Sequence, residues 1–222
     1  MKLSNGMEMP EIGLGLYLLE KGKETQDAVT LALKQGYRLF DGASFYDNEA
    51  DLGIALAASD IPRDEIFVIT KVWTTDRTYE DALSSVRRSH RELGGKYPID
   101  LAFVHWPVPG HHTEQYRALV TAHQEGLIKS IGISNYSPED FTELQTSGVM
   151  STVAPVVHQY EASPFIQRPE MATFFRSKGI ALQATKPLQR GARLESPAVL
   201  QVAEKYKCSP AQVLLKYGVQ KG

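Results

Sequence analysis

In Phe40-Asp41-Gly42-Ala43-Ser44-Phe45-Tyr46-Asp47-Asn48-Glu49, an apolar run that begins at Tyr37 and Leu39 stops at a carboxylate, Asp41. A loop of small residues follows and carries Tyr46. A helical pattern then opens at Asn48, a residue type that caps helix starts. Strand, loop with ionisable groups, then helix is the unit by which a barrel enzyme presents chemistry at the carboxyl ends of its strands. A turn-capping aspartate and a packing tyrosine would leave the same letters. Recurrence downstream separates the two readings.

The pattern recurs in both directions. Met9 to Tyr17 is a short, glycine-punctuated apolar strand. Glu24 to Gln35 is an amphipathic helix closed by Gly36. Ile66 to Thr70 is a buried strand ending at Lys71, and Ile99 to Val104 one ending at His105. Ser130 to Ser134 ends at Asn135, Val153 to Gln159 is a sixth strand and Ile180 to Ala184 a seventh. Helices are expected at Glu49–Ala58, Tyr79–Leu93, Glu114–Gln124, from Pro138, at Pro169–Ser177, at Pro197–Tyr206 and at Pro210–Val219. Ser137-Pro138 supplies a cap and a first-turn proline. Strands and helices alternating at roughly 25- to 35-residue intervals imply βαβ units and a parallel sheet. The strands are continuous apolar runs, as both-face burial requires. No linker or low-complexity tract interrupts about seven such units, so residues 1–222 are expected to form one domain.

Composition narrows the class. The chain has 222 residues, 42% hydrophobic and 23% charged, with a net charge of −2. Without a basic stripe or acidic tail, no nucleic-acid partner is expected. No apolar run approaches the roughly 18 residues that span a bilayer, so no membrane partner is expected either. One cysteine, Cys208, excludes an internal disulfide and fits a reducing compartment. A secretory leader pattern is missing, and the expected location is cytoplasmic.

An open dinucleotide-binding sheet should carry G-x-G-x-x-G after its first strand. Here Gly13-Leu14-Gly15 is followed by Leu16-Tyr17-Leu18, which weakens the open-sheet reading. A closed eight-fold barrel has the opposite difficulty, since the letters end after a seventh unit.

Three successive strands end in ionisable residues: Asp41, Lys71 and His105. Neighbouring strands lie about 4.8 Å apart, so the three share one rim, with Tyr46 in the loop just beyond. An ammonium beside a tyrosine hydroxyl lowers its pKa from about 10. A carboxylate beside the lysine keeps it charged, and a histidine orients a substrate oxygen. Such a set gives a proton to a carbonyl oxygen but has no electron pair for the carbon, which must receive hydride from a cofactor.

These residues resemble the aldo-keto reductases, NAD(P)H-dependent barrel oxidoreductases, almost throughout the chain. The likeness is carried by Met9-Pro10, Gly13-Leu14-Gly15, Phe40-Asp41-x-Ala43-x-x-Tyr46-x-Asn48-Glu49, Ile69-Thr70-Lys71-Val72-Trp73 and His105-Trp106-Pro107, with Gly42 where threonine is usual. The resemblance implies a TIM-type (β/α)8 barrel and NADPH-dependent reduction of a small carbonyl substrate, with NADH a second candidate cofactor. It implies Tyr46 as proton donor, Lys71 as modulator of its pKa, Asp41 as the lysine's partner and His105 as substrate orienter. Trp73 and Trp106 would wall the substrate pocket; ordinary rim packing is the alternative for both, and the favoured one for Trp106. Ser134, Asn135 and Gln159 match residues that hold the nicotinamide carboxamide, with Asp41 and Leu188 beside them. His158 stands for the usual asparagine and Ser163-Pro164 for the usual His-Pro.

The seventh strand departs from the pattern. It reads Ala184-Thr185-Lys186-Pro187-Leu188, where Ala-Tyr-Ser-Pro-Leu is usual. Thr185 cannot stack on a nicotinamide ring. Lys186 would meet the cofactor's pyrophosphate or stand in solvent. After Gly222 the family continues with an eighth strand–helix unit, carrying residues that grip the 2′-phosphate, and a C-terminal substrate loop. The last βα unit and the loop are absent from this sequence, and a truncated sequence is the expectation. The resemblance implies a monomer, while unpaired barrel edges are a route to self-association. No metal is expected: His111-His112 has no ligand cluster at zinc spacing and reads as a solvated loop. Two other classes stay open, namely a non-catalytic relative acting as a binding or structural protein, and a barrel lyase or isomerase using Lys71 as a Schiff base.

Overall fold

In a computed structural model, residues 1–221 are described. Seven strands pair in parallel in the order β1 to β7: Leu14–Gly15, Leu39–Asp41, Phe67–Val72, Leu101–Val104, Ile131–Ser134, Val157–Glu161 and Ala181–Thr185. Eight helices lie between and after them: α1 Lys23–Lys34, α2 Glu49–Ala57, α3 Tyr79–Glu92, α4 His112–Gln124, α5 Pro138–Thr146, α6 Pro169–Ser177, α7 Pro197–Tyr206 and α8 Pro210–Lys221. The sheet curls, but β1 and β7 do not pair with each other. Among the described residues no helix is long and apolar enough to cross a membrane.

The expected elements are present, with shifts that have local causes. The first strand shrinks to Leu14–Gly15, and residues 1–9 fold back on themselves through the antiparallel bridge between Lys2 and Glu8. The third strand runs past Lys71 to Val72, so the lysine lies within the ladder. Asn48 precedes α2 without capping it. Its Nδ2 instead donates to Leu16 O at 3.0 Å and ties the β1 loop to the β2 loop. Ser137 does cap α5, in a reciprocal capping box with Asp140.

Strand side chains alternate between two faces, and that alternation builds the site. Leu39, Phe67, Ile69, Leu101, Phe103 and Val157 form the inner core, closed at the bottom by Leu3 and Met9. Phe40, Val68, Ala102, Val104, Ile131 and Ile133 face outward into the helices. Gly132 takes an inner position because a Cβ there would lie 2.4 Å from the Phe103 ring. Two residues beyond these inner positions come Asp41, Lys71, His105, Ser134 and Gln159, so the polar rim is the inner face continued upward by one step.

His158 alternates outward from Gln159. It is fully buried, its ring 3.9 Å from that of Phe175 by centroids. Burial drives its pKa down to about 3, and burial, aided by Lys71, does the same to His105. Both are neutral when folded, whereas the unfolded chain protonates them below about pH 6.5. Stability from these sites is therefore full above pH 6.5 and falls as the pH drops toward 3. Each is expected to cost about 1.4 kcal/mol per pH unit across that window. Urea midpoints between pH 7 and 5 check this. His158→Leu should flatten the decline by half of the two-histidine share, and an unchanged slope would show that His158 is not the cause.

Candidate active site

The floor of the site is an ion pair set by the register of β2 and β3. Asp41 pairs with Ile69, which leaves Lys71 one inward step higher. From there the Lys71 ammonium donates to Asp41 Oδ1, to Gly42 O at 2.8 Å and to Tyr46 OH at 3.1 Å. The lysine side chain is fully buried and Asp41 nearly so. Gly42 suits this corner: its N–H reaches Ile69 O at 3.0 Å, and a Cβ would press to 3.2 Å from that same oxygen. Ser44 Oγ donates to Lys71 O at 2.9 Å and pins the loop that carries Tyr46. Gln159 Nε2 donates to the other Asp41 oxygen at 2.6 Å. Glu49 accepts from Thr70 Oγ1 and from Ser89 Oγ, anchoring α2 below the loop.

Electrostatics sharpen the roles. Burial works against the charge on Lys71, but Asp41 and Tyr46 outweigh it and hold its pKa above the ordinary lysine value. A Schiff-base lysine needs the reverse, a lowered pKa, so this lysine is set up as a cation. Tyr46 differs from expectation: burial raises its pKa by more than the Lys71 ammonium lowers it, and the net shift is upward. The expected depression was an argument from one neighbour; desolvation of the phenol is the larger effect. His105 packs edge-on to Tyr46 and Trp73, with centroids 5.9 and 4.8 Å away. Its Nδ1 is buried without a partner.

Above this floor opens a cleft of about 660 Å³, lined by Tyr17, Phe45, Tyr46, Trp73, His105 and Trp106 on one side, and by Ser134, Asn135, Gln159, Thr185, Lys186 and Leu188 on the other. The sequence-predicted site residues therefore meet in one place, with Asp41 and Lys71 forming the floor and the others lining the cleft. Trp106 stands at the rim, 45% exposed. Lys186 is not a free cation, since its Nζ lies 3.4 Å from Glu161 Oε2. Asn135, held at a left-handed φ of 61°, donates to His105 O and to Ser134 Oγ, both at 3.0 Å. This leaves the carbonyl oxygens of Asn135 and Gln159 without protein donors among the described residues. Two acceptors and a hydroxyl match the edge of a carboxamide, while Thr185 offers no ring to stack on.

Sequence reasoning missed several lining residues, Phe45, Tyr17 and Arg190 among them. Phe45 stacks on Trp73 with centroids 3.8 Å apart. It stood beside Tyr46 in the sequence, and a large aromatic in a loop of small and polar residues was the available signal. Tyr17 tilts against Tyr46 at 5.1 Å; it was counted as the end of a strand. Arg190 came from a loop with no recognised pattern. His112 corrects an expectation in the other direction: it is buried at the start of α4, with Nδ1 3.2 Å from Tyr136 OH. Among the described residues no cluster able to hold a metal is present.

A buried Asp–Lys–Tyr cluster lies under an aromatic cleft at the carboxyl ends of parallel strands, and the comparisons with known proteins make the chain an oxidoreductase. The chain belongs to the Aldo/keto reductase family, whose sequence profile matches residues 11–222. Among similar proteins, glyoxal reductase of Bacillus subtilis is 37% identical over 221 residues, covering 100% of this chain and 79% of the relative. The crystal structure of an aldo/keto reductase from Brucella melitensis superposes with a TM-score of 0.92 at 37% identity, over 100% of this chain and 84% of that one. A structure of Gox0644 in complex with NADPH superposes with a TM-score of 0.91 at 33% identity, over 100% and 79%.

Proposed function

We propose that this protein is an NADPH-dependent reductase of aldehydes and ketones, built as one domain on the seven-strand portion of a TIM-type (β/α)8 barrel. The single observation that carries the reading is the Lys71 ammonium reaching both Asp41 and the Tyr46 hydroxyl beneath the cleft. The NADPH-bound neighbour and the glyoxal reductase relative support it.

The cofactor supplies the hydride that reaches the carbonyl carbon. The chain's own residues do the rest. Asn135 and Gln159 present their free carbonyl oxygens, and Ser134 its hydroxyl, to the carboxamide. Tyr46 gives its proton to the carbonyl oxygen as negative charge develops there. Lys71 stabilises the phenolate left behind, through a hydrogen bond to its oxygen and its full charge in a water-poor floor. Asp41 keeps Lys71 protonated and in place. His105, neutral with a pKa of about 3, holds the substrate oxygen as a hydrogen-bond partner without competing for the proton. Phe45, Trp73 and Trp106 shape the apolar wall.

NADPH binding followed by fluorescence, with NADH alongside, tests the reading, and turnover of a small aldehyde completes it. Saturable NADPH binding with aldehyde-dependent oxidation is expected. A folded chain that binds neither nucleotide would instead be a cofactor-deficient relative, as Thr185 in place of a stacking ring would then explain.

The direction of the Tyr46 shift sets the pH behaviour. Reduction needs the protonated phenol, which persists through and beyond neutrality because its pKa lies above the ordinary value. The kcat/KM for reduction should be level from pH 6 to 9, since His105 titrates far below that range. Alcohol oxidation needs the phenolate and should climb steadily with pH over the same interval. A reduction rate that falls with a midpoint near neutrality would refute Tyr46 as the donor in this environment.

A further inference from the structure

One buried acid takes no part in the chemistry described so far. Glu49, the first residue of α2, is 1% exposed. Its carboxyl oxygens accept from Thr70 Oγ1 on β3 and from Ser89 Oγ on α3, the latter at 2.6 Å. Both hydroxyl residues are buried as well. Among the described residues those two hydroxyls are its hydrogen-bond partners, and no cation pairs with it. Burial holds its pKa above the ordinary carboxylate value, against the pull of the two hydroxyls. A buried acid without a paired counter-charge is costly to keep.

The carboxyl sits where the loop that carries Tyr46 ends. Successive residues of β3 point to opposite faces, so Lys71 faces the floor of the cleft and Thr70 faces the helices. The loop is fastened to β3 at three points. Gly42 N–H donates to Ile69 O at 3.0 Å, Ser44 Oγ donates to Lys71 O at 2.9 Å, and Glu49 accepts from Thr70. Those points fall on three consecutive strand residues, and between them the Tyr46 hydroxyl meets Lys71 Nζ at 3.1 Å. Glu49 supplies the downstream anchor, three residues after Tyr46. It also packs against the corner: a Cβ at Gly42 would lie 3.9 Å from Glu49 Cγ, and Gly42 O accepts from Lys71 Nζ at 2.8 Å. Gly53, about one turn further along α2, lets that helix close on α3, since a Cβ there would lie 2.4 Å from Glu92 O. This approach brings Ser89 within reach of the carboxyl.

We propose that Glu49 is a positioning residue for proton transfer: bound to Thr70 and Ser89, it fixes the Tyr46 loop against β3 and so keeps the Tyr46 hydroxyl on Lys71. The proposal rests on the reductase reading. Glu49 does not line the cleft, so it acts through Tyr46 and not on the substrate. It acts through hydrogen-bond geometry rather than through charge.

Reduction of 4-nitrobenzaldehyde by NADPH, followed well below the Tm, is the assay. Glu49→Met keeps the length of the side chain and leaves both hydroxyls without their acceptor. Its kcat should fall about 10- to 100-fold, the scale of a misplaced reacting group, while KM and NADPH affinity stay within about threefold. The solvent deuterium isotope effect on kcat should rise, because delivery of the Tyr46 proton slows relative to the other steps. Glu49→Gln still bonds both hydroxyls and should keep about a third or more of kcat. Thr70→Val should lose most of what Glu49→Met loses, and the double variant should be no slower than Glu49→Met alone. A purely structural role would lower the Tm and leave kcat and the isotope effect in place, which overturns the proposal. Equal losses in Glu49→Gln and Glu49→Met would make charge the acting feature and overturn it too. If Glu49→Met does not fold, Thr70→Val decides, and a full rate there overturns the proposal. If the unaltered protein reduces no aldehyde, the reductase reading fails by itself. Fluorine NMR of 3-fluorotyrosine-labelled protein, with the Tyr46 signal assigned through Tyr46→Phe, then answers the positioning question. A Tyr46 signal that moves in Glu49→Met or Thr70→Val but not in Glu49→Gln upholds it, and an unmoved signal sinks it.

Discussion

Tyr46→Phe lowers kcat for carbonyl reduction by roughly 10²–10⁴-fold, the range that one well-placed general acid supplies, while NADPH affinity and the unfolding transition hold. The physical reason is local. The hydroxyl is the only group of that side chain that Lys71 contacts with a hydrogen bond, at 3.1 Å. The ring packs against Tyr17 and His105 through its faces and edges, and phenylalanine keeps those contacts. Stopped-flow measurement of the hydride step, with circular dichroism on the same sample, checks both halves. A variant retaining a tenth or more of the rate would move the proton donor elsewhere, and His105 could not replace it, since at a pKa of about 3 it carries no second proton at neutral pH.

Lys71→Met has the second large effect, and it acts on stability as well as on rate. The ammonium lies fully buried against Asp41. Removing one partner of a buried pair leaves the other charge uncompensated, which costs about 3–5 kcal/mol. For a chain of this size that is a fall in Tm of roughly 6–20 °C. The rate falls too, because the phenolate of Tyr46 loses its cation. The two losses separate in the double variant Lys71→Met with Asp41→Asn. An amide at position 41 needs no counter-charge and still pairs with Gln159, so most of the Tm returns while kcat stays low. If the double variant is no more stable than the single one, Asp41 is not the source of the cost and the pairing argument fails.

Burial contributes more at this site than the simple charge picture allows. A lysine beside a tyrosine implies a depressed phenol, and the sequence alone supports no finer statement. Packing of the loop under Tyr17 and His105 removes enough water from the hydroxyl to reverse the net direction. Lys71 then matters for the charge that develops on the phenolate during the reaction, rather than for the resting state of the donor.

Local patterns that depend on neighbouring letters were legible before any fold was known. The alternation of apolar runs and amphipathic helices marked all seven strands. The strand-end positions of Asp41, Lys71 and His105 placed one rim, since strand side chains repeat with period two and parallel strands present their carboxyl ends together. The cap at Ser137 followed from residue type and spacing. Family likeness extended this to Ser134, Asn135 and Gln159, of which Ser134 and Gln159 continue the inner face of β5 and β6.

Contacts between residues distant in sequence were decided by the tertiary structure alone. Asn48 looked like a helix cap, yet its amide serves Leu16, 32 positions away. His112 looked solvated, yet α4 turns it inward onto Tyr136. Lys186 could be read as meeting the cofactor's pyrophosphate or as solvated, and only the fold places Glu161 of β6 beside it; Arg190 lies over Tyr17, with no carboxylate partner among the described residues. The reason is common to these cases. Hydrogen bonding, desolvation and charge pairing depend on distances of a few ångströms between side chains on different elements, and sequence spacing sets such distances only within a single helix, strand or turn.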